Sequence, residues 1–526
     1  LLRRHAQILL ERIEHRLDAA FGADANPLKQ LGALGWYFYW VVVASGIYVY
    51  IFYDSGVTEA YQSVEYMTHV QWYAAGVMRS LHRYASDALV LAMALHLARE
   101  FVKDRYRGVR WFAWVTGVAI VWFVYASGIS GYWVVWDRFA QYLAIATSEW
   151  LDALGIFGDP VARNFVHDSR LSGRFFTLMV FIHIAVPLVL LFLLWLHSHR
   201  LAQARVNPPR ALALGCTAML LGVAIARPAV SQGPADLGHV PAQIALDWFY
   251  AWGYPLLDRM PLAQVWLLAL GATVLAALLP WLPRRRERPA AAVDLDNCNG
   301  CARCFADCPY SAITMVPRTD GRPYERQAQV EPALCIACGI CAGACPTATP
   351  YRRRSRLRAG IELPWAPVSA LRDEALAEAA ALGGAGRIIV FGCAPGPDLE
   401  RLRDRSTAAI TLPCVGALPP PFIDFLLARG HVDGVMLTGC PPGDCAARLG
   451  IAWSAQRLAR ERDPRMRQRV PRERVATCWA GRSGRAMLRQ ALARFRDRLD
   501  EHARLAAPAE RVADGAARPA AGVHGV

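Results

Sequence analysis

The sequence predicts a multidomain protein: an α-helical membrane bundle of about six transmembrane helices, then a small α+β domain, then an α/β domain. Three observations carry that expectation. Hydrophobic residues make up 55% of the 526 residues, and the longest apolar runs all lie before residue 284. Eight of the 14 cysteines fall between residues 298 and 345 at tight spacing. Beyond about residue 385, short β-rich runs alternate with helical stretches, and four of those runs end in cysteine.

The length leaves room for three or four domains of ordinary size. A net charge of +15 could suggest nucleic acid. The basic residues instead sit beside apolar segments, where Lys and Arg mark the cytoplasmic side, so no nucleic-acid partner is expected. Clustered cysteines in a chain with no secretory signal read as metal or cluster ligands rather than disulfides.

Residues 1–29, which begin LLRRHAQILLERIEHRLDAAFG, place apolar residues at helical spacing with Arg between them, as in an amphipathic helix on a membrane surface. Candidate spans come next at 31–53, 77–98, 112–136, 175–197, 210–226 and 263–283. Basic residues gather after the second span (Lys103, Arg105, Arg107, Arg110), after the fourth (Arg200, Arg205, Arg210) and after the sixth (RRRER, 284–288). The positive-inside rule then places both chain ends, and everything after residue 284, in the cytoplasm of a bacterial or archaeal cell, with the bundle crossing the inner membrane. The expected divisions are a helical bundle at 30–205, two further helices at 206–285, a Cys-rich domain at 290–350, a connector at 351–384, an α/β domain at 385–500 and a disordered tail at 501–526.

The second span holds His82 and His96, fourteen residues apart, and the fourth repeats the interval with His183 and His197. Fourteen helical residues advance about 21 Å and make nearly four turns, so each pair shares a face at two depths. Two helices with matching ladders can clamp two metal centres, His82 with His183 and His96 with His197. Four imidazoles ligating in pairs suit haem iron. The first span has Gly32 and Gly46, the third Gly117 and Gly131, again fourteen apart. Glycine would let backbone approach a flat macrocycle closely. Arg79, Arg83 and Arg99 flank the ladder and are candidates to neutralise haem propionates. His69, His167 and His199 lack this geometry and read as interfacial or loop residues.

The stretches RSLHRYASDALVLAMALHLARE, WVTGVAIVWFVYASGISGYWVVWD and HIAVPLVLLFLLWLH resemble helices B, C and D of the cytochrome b family, the dihaem core of quinol-oxidising bc-type complexes. The resemblance covers residues 30–200 and continues more faintly to 283. It implies two haem b groups, the first histidine of each helix serving the outer haem and the second the inner one. It also implies quinone as substrate, contact with membrane lipid and a homodimer formed through this part. Gln30 stands where one branch of the family attaches a further haem through cysteine, so no covalent haem is expected. The family's Pro-Glu-Trp-Tyr quinol motif corresponds to Leu246-Asp247-Trp248-Phe249. Asp247 is the candidate proton acceptor; a helix-capping role is the alternative.

CNGCARCFADCP supplies Cys298, Cys301, Cys304 and Cys308, and CIACGICAGACP supplies Cys335, Cys338, Cys341 and Cys345. C-x2-C-x2-C-x3-C-P written twice is the pattern of a bacterial-type two-cluster ferredoxin, in which three thiolates wrap one [4Fe–4S] cube and the fourth reaches the other. The first cluster would use Cys298, Cys301, Cys304 and Cys345, and the second Cys335, Cys338, Cys341 and Cys308. So complete a doubled pattern argues against zinc.

In the last domain RIIVFGC, AAITLPC, DGVMLTGC and RVATC bring Cys393, Cys414, Cys440 and Cys478 to the carboxyl ends of four strands, where an open parallel sheet forms its functional crevice. Cys445 comes shortly after, in GCPPGDC. Residues 388–460 resemble the delta (iron–sulfur) subunit of methyl-viologen-reducing hydrogenase. That resemblance implies a [2Fe–2S] cluster and a soluble cytoplasmic partner: a flavoprotein, hydrogenase, dehydrogenase or heterodisulfide-reductase-like protein. The expected ligands are Cys393, Cys414, Cys440 and Cys445, with Cys478 able to replace one. A domain that kept the fold and lost its cluster is the alternative.

The expected function is electron transfer between the quinone pool and that soluble partner, through haems and clusters, in a quinone-linked oxidoreductase subunit. Flow from clusters to quinone is favoured, being downhill from low-potential clusters. An anchor and conduit without its own quinone site, and a redox sensor, are the alternative classes.

Overall fold

The computed structural model describes residues 2–165, 171–241, 243–283 and 288–506. His167, most of the 284–288 basic run and the tail from 507 lie outside them. The chain forms two compact units. The first comprises residues 1–288 with 309–312 and 331–336; the second comprises 289–308, 313–330 and 337–526.

The first unit is helical: α1 (Leu2–Phe21), α2 (Leu31–Tyr50), α3 (Glu59–Glu65), α4 (Val77–Val102), α5 (Trp111–Trp133), α6 (Arg138–Asp152), α7 (Gly173–Ser198), α8 (Arg210–Ala226), α9 (Tyr254–Leu257) and α10 (Leu262–Leu278). Each of the six expected spans is a helix, within a few residues at either end. Four of these, at Leu31–Tyr50, Gly108–Trp133, Gly173–Ser198 and Leu262–Trp281, are long and apolar enough to cross a membrane. The charges of α4 exclude it on composition, and α8 is shorter.

Helix α2 packs on α4, α5 on α7, and α8 on α4. Ala85 and Ala92 of α4 meet Leu31, Leu34 and Phe38 of α2, small against large, so the two backbones draw close. The outward side of α7 (Phe181, Ile184, Leu188, Phe192, Trp195) is exposed and apolar, a surface suited to a hydrocarbon surrounding. Pro187 lies inside α7 and cannot bond the carbonyl of His183, four residues back.

Helix α1 docks by its polar side. Glu14, 1% exposed, accepts from Arg99 Nε at 2.8 Å and Lys103 Nζ at 2.7 Å. Gln7 donates to the Val102 carbonyl at 2.9 Å. Leu2, Leu9 and Ile13 point outward, so the amphipathy expected from the sequence is real. The segment 137–174, expected only as a loop between spans, contains α6, started by Asp137 accepting from Ala140 N at 2.8 Å.

In the second unit, β1 (Ala292–Val293), β2 (Ile313–Pro317), β3 (Arg326–Val330) and β4 (Ile361–Glu362) form two antiparallel pairs, β1–β4 and β2–β3. Two short helices, α11 (Arg303–Asp307) and α12 (Ile340–Ala344), each start at a left-handed residue, Ala302 and Gly339. The α/β part has a parallel sheet of order β6-β5-β7-β8, from β5 (Ile388–Cys393), β6 (Thr407–Leu412), β7 (Gly434–Thr438) and β8 (Val475–Cys478). Its helices are α13 (Val368–Ala381), α14 (Pro420–Ala428), α15 (Gly450–Leu458) and α16 (Arg485–Ala506). The stretch expected as a connector therefore has structure of its own: 361–362 pair with β1, and α13 packs on β5 and β6.

Candidate metal centres

Helices α4 and α7 bring His82 and His183 together. The rings of His82 and His183 face each other with centroids 6.2 Å apart. Two imidazole–metal bonds of about 2 Å each, plus half a ring on either side, require roughly that gap, so the two rings would hold a haem iron between them. Nδ1 of His82 lies 2.9 Å from the Val42 carbonyl and 3.3 Å from Ser45 Oγ. Nδ1 of His183 lies 3.0 Å from the Ser127 carbonyl and 3.2 Å from Ser130 Oγ. His197 Nδ1 lies 3.0 Å from Thr116 Oγ1. Occupying Nδ1 this way leaves Nε2 free for the metal and fixes the ring plane.

The four glycines do face the ladder, and what each accommodates is an imidazole edge. A Cβ would stand 2.8 Å from His183 Cε1 at Gly131, 2.9 Å from His82 Cε1 at Gly46, 3.4 Å from His197 Cε1 at Gly117 and 3.6 Å from His96 Cε1 at Gly32. The hydroxyls of Ser45, Thr116 and Ser130 belong to the same design and were missed in the sequence. Each directly precedes one of these glycines, so a Ser/Thr-Gly step recurring at the ladder's interval is the signal that could have found them.

Asp247 is both a turn cap and part of a charged cluster. Its Oδ1 accepts from Phe249 N at 2.7 Å. Its Oδ2 lies 3.0 Å from Arg83 Nη2 and accepts a short hydrogen bond from Tyr132 OH. Arg83 also pairs with Asp87. The other two arginines likewise have protein partners: Arg79 bonds Thr68 and Ser231, and Arg99 bonds Glu14 and Glu100. His69 pairs with Glu65, and both His69 and His199 are exposed.

Cys298, Cys301, Cys304 and Cys345 line one cavity together with Met315, Ala328, Gly360 and Ile361. The last cysteine of the second motif thus joins three of the first, as the crossed ligand pattern requires. Burial pushes the Cys304 thiol up to about 12, a proton that a cluster iron would displace. Arg318 braces this loop, donating to the carbonyls of Cys298 at 2.6 Å and Leu295 at 2.7 Å. Cys341 is buried one residue into α12, and Cys308 comes directly after α11.

Strand order explains the last site. With β5 between β6 and β7, Cys393 lies within sulfur hydrogen-bonding reach of both Cys414 and Cys440, and Cys445 closes a ring by reaching the same two. Those bonds hold Cys393 and Cys445 well below the usual thiol range. Backbone N–H groups point at the sulfurs: Val415 to Cys393 at 3.1 Å, Gly416 to Cys414 at 3.4 Å and Ala446 to Cys440 at 3.4 Å. Such donors stabilise thiolate charge and suit an iron–sulfur cluster. Cys478 ends the outer strand β8 beside Thr438, apart from the ring. Among the described residues no three His, Cys, Asp or Glu side chains are set around a single-ion site. Facing histidine pairs and rings of thiols are arrangements for haem iron and polynuclear clusters instead.

Residues 23–204 match the family model for cytochrome b (cytochrome b/b6/petB), 297–349 that for a 4Fe–4S dicluster domain, and 401–502 that for the methyl-viologen-reducing hydrogenase delta subunit. Among solved structures, the chain is similar to one in a hyperthermophilic respiratory Complex III, with 18% identity over 49% of this chain and 75% of that chain and a TM-score of 0.40. The matched segments imply haem b and iron–sulfur cofactors. The chain is a membrane electron-transfer subunit whose segments match, in N-to-C order, the models for cytochrome b, a 4Fe–4S dicluster domain and the hydrogenase delta subunit.

Proposed function

We propose that the chain links the quinone pool to a soluble cytoplasmic redox protein. The route comprises two b haems, held by His82/His183 and His96/His197, two [4Fe–4S] clusters and a [2Fe–2S] cluster held by Cys393, Cys414, Cys440 and Cys445. The observation that carries this reading is the facing pair His82 and His183, 6.2 Å between centroids, each ring fixed through Nδ1. The bundle crosses a bacterial or archaeal inner membrane six times, α1 rests on its surface, and the cluster domains face the cytoplasm. It pairs with a second copy through the cytochrome b part.

Haems and clusters, when bound, supply single-electron transfer. The chain's own residues supply spacing, field and proton access. Asp247 sits where the family's quinone motif lies, held between Arg83 and Tyr132. Trp248, Phe249 and Trp252 beside it are exposed aromatics against which a quinone ring could lie. A quinone there takes up two electrons and two protons, and Asp247 passes protons to it; in reverse it accepts them. Electrons moving outward through the membrane are assisted by about 2.3 kcal/mol per charge per 100 mV. That favours flow from clusters to quinone.

The test is viologen-driven quinone reduction by the purified protein. The expected result is turnover that Asp247→Asn reduces at least tenfold (about 1.4 kcal/mol in the barrier) with the split b-type absorbance kept. Absence of b-type haem, or both b haems surviving His82→Ala and His197→Ala, would falsify the reading. A neutral Asp247→Asn would leave the second reading, an anchor and conduit for a hydrogenase, dehydrogenase or heterodisulfide-reductase-like complex, which the delta-subunit match favours.

A further inference from the structure

Within the second unit, one contact between the two parts that hold cysteine ligands is made by α12 and the turn after β6, and the cysteine carried on α12, Cys341, belongs to the second ligand set. The cavity that gathers Cys298, Cys301, Cys304 and Cys345 is lined only by residues between 298 and 361, none of them from the α/β part. Helix α12, which carries Cys341, instead abuts the turn after β6, just beyond Cys414. A Cβ on Gly343 of α12 would overlap the Gly416 carbonyl. A Cβ on Gly416 would stand 2.9 Å from Ile340 Cγ1 and 3.2 Å from Gly450 Cα. A Cβ on Gly450 would overlap Cys414 Sγ, with Ile340 Cδ1 at 3.5 Å and Cys445 Sγ at 3.6 Å. Three glycines thus let the backbones approach closely around Ile340, which is fully buried and immediately precedes Cys341.

A buried cation clamps the same place. Arg457 of α15, 1% exposed, donates to the Gly416 carbonyl at 2.9 Å and to Asp307 Oδ2 at 2.5 Å, and its Nη2 lies 3.5 Å from the Ile340 carbonyl. Asp307 immediately precedes Cys308, the other near ligand of the second set. Arg462 also binds Asp307 and lies 3.5 Å over the Trp453 ring, and Trp453 Nε1 donates to the Asp307 carbonyl at 3.3 Å. Two guanidinium groups against one carboxylate leave a net positive charge beside both ligand sets.

We propose that this Ile340–Gly416–Gly450 contact is the electron crossing between the second cubane, which draws Cys308, Cys338 and Cys341 from this unit, and the cysteine quartet, with Arg457 as its positioning residue. The proposal rests on the functional reading above and fixes the order of the wire: quartet, second cubane, first cubane. One electron leaves one centre and arrives at the other, and no bond or proton changes hands. Arg457 holds the two backbones in register, and its charge favours the reduced, more negative form of both centres.

The experiment is electron paramagnetic resonance on the reduced full-length protein in detergent. The expected result is fast spin relaxation of the [2Fe–2S] signal that disappears in Cys341→Ser and persists in Cys301→Ser. Arg457→Gln lowers the midpoint potentials of the quartet's centre and the second cubane, leaves the first cubane and the haems unmoved, and is partly rescued by Arg457→Lys. Ile340→Ala, which removes no ligand, slows equilibration between the two centres at unchanged potentials. Relaxation lost in Cys301→Ser but kept in Cys341→Ser would overturn the order alone. A preparation with no third cluster would overturn the functional reading, and the crossing with it.

Discussion

At the scale of single residues, the ladder makes a graded prediction. Gly131→Ala puts a methyl group 2.8 Å from His183 Cε1, whereas Gly32→Ala puts one at 3.6 Å from His96 Cε1, an ordinary contact. Overpacking a fixed ring costs about 1–3 kcal/mol. We expect Gly131→Ala to lose the haem of the outer pair and Gly32→Ala to retain both, read as haem per polypeptide by pyridine haemochrome. Part of this was legible in the sequence, because a fourteen-residue interval has only one consequence on a helix. The Nδ1 partners were not, since a carbonyl such as Val42 O carries no residue-type signature and matters only once two helices are docked. Arg318 was hidden for the same reason: its work is done through the carbonyls of Cys298 and Leu295. Arg318→Met should lose the first cubane and spare the second, measured by iron content and spin quantitation. Its partner Asp320 is held down to about 2, from 3.8, by Arg318. A depressed carboxylate supports the fold above its unfolded value and ceases to as pH falls through the folded one. The brace should therefore hold above pH 3.8 and fail near pH 2, seen as acid bleaching of the first cubane.

At the scale of elements, spans and strands were legible because their periods are strong: unbroken apolar runs for the membrane helices, and short β-branched runs ending in cysteine for β5 to β8. Elements with mixed faces were not. Helix α6 alternates polar and apolar residues inside a loop, and α13 is alanine-rich, with propensity but little apolar signal. Docking was equally invisible. The amphipathy of α1 could be read, yet which face meets the protein depended on Glu14 finding Arg99 and Lys103. Replacing one partner of a buried ionic cluster leaves the others uncompensated, at a cost of about 3–5 kcal/mol. Glu14→Gln should release α1 from the C-terminal end of α4, and trypsin should then cut within residues 3–16 at a protease level that leaves the wild type whole.

At the scale of the molecule, the question is whether one polypeptide conducts from its cysteine quartet to the loop that carries Asp247 or merely holds cofactors in series. Strand order settles which sulfurs can act together: β5 lies between β6 and β7, so Cys393, Cys414 and Cys440 converge while Cys478 stays on the outer strand. Cys440→Ser should therefore damage electron entry, and Cys478→Ser should not. At the other end, the Asp247 side chain is 5% exposed and tied to Arg83 and Tyr132. Its loss should damage exit without touching any haem ligand. The two lesions are separable by stopped flow with a reduced viologen as donor. In Cys440→Ser the haems should fill slowly and then empty into quinone at the normal rate. In Asp247→Asn they should fill at the normal rate and stay reduced with quinone present, because electrons can arrive but the protons that must accompany them cannot. A conduit with no quinone site of its own predicts the opposite for Asp247→Asn, haem oxidation indifferent to the substitution, and that single trace decides between the two.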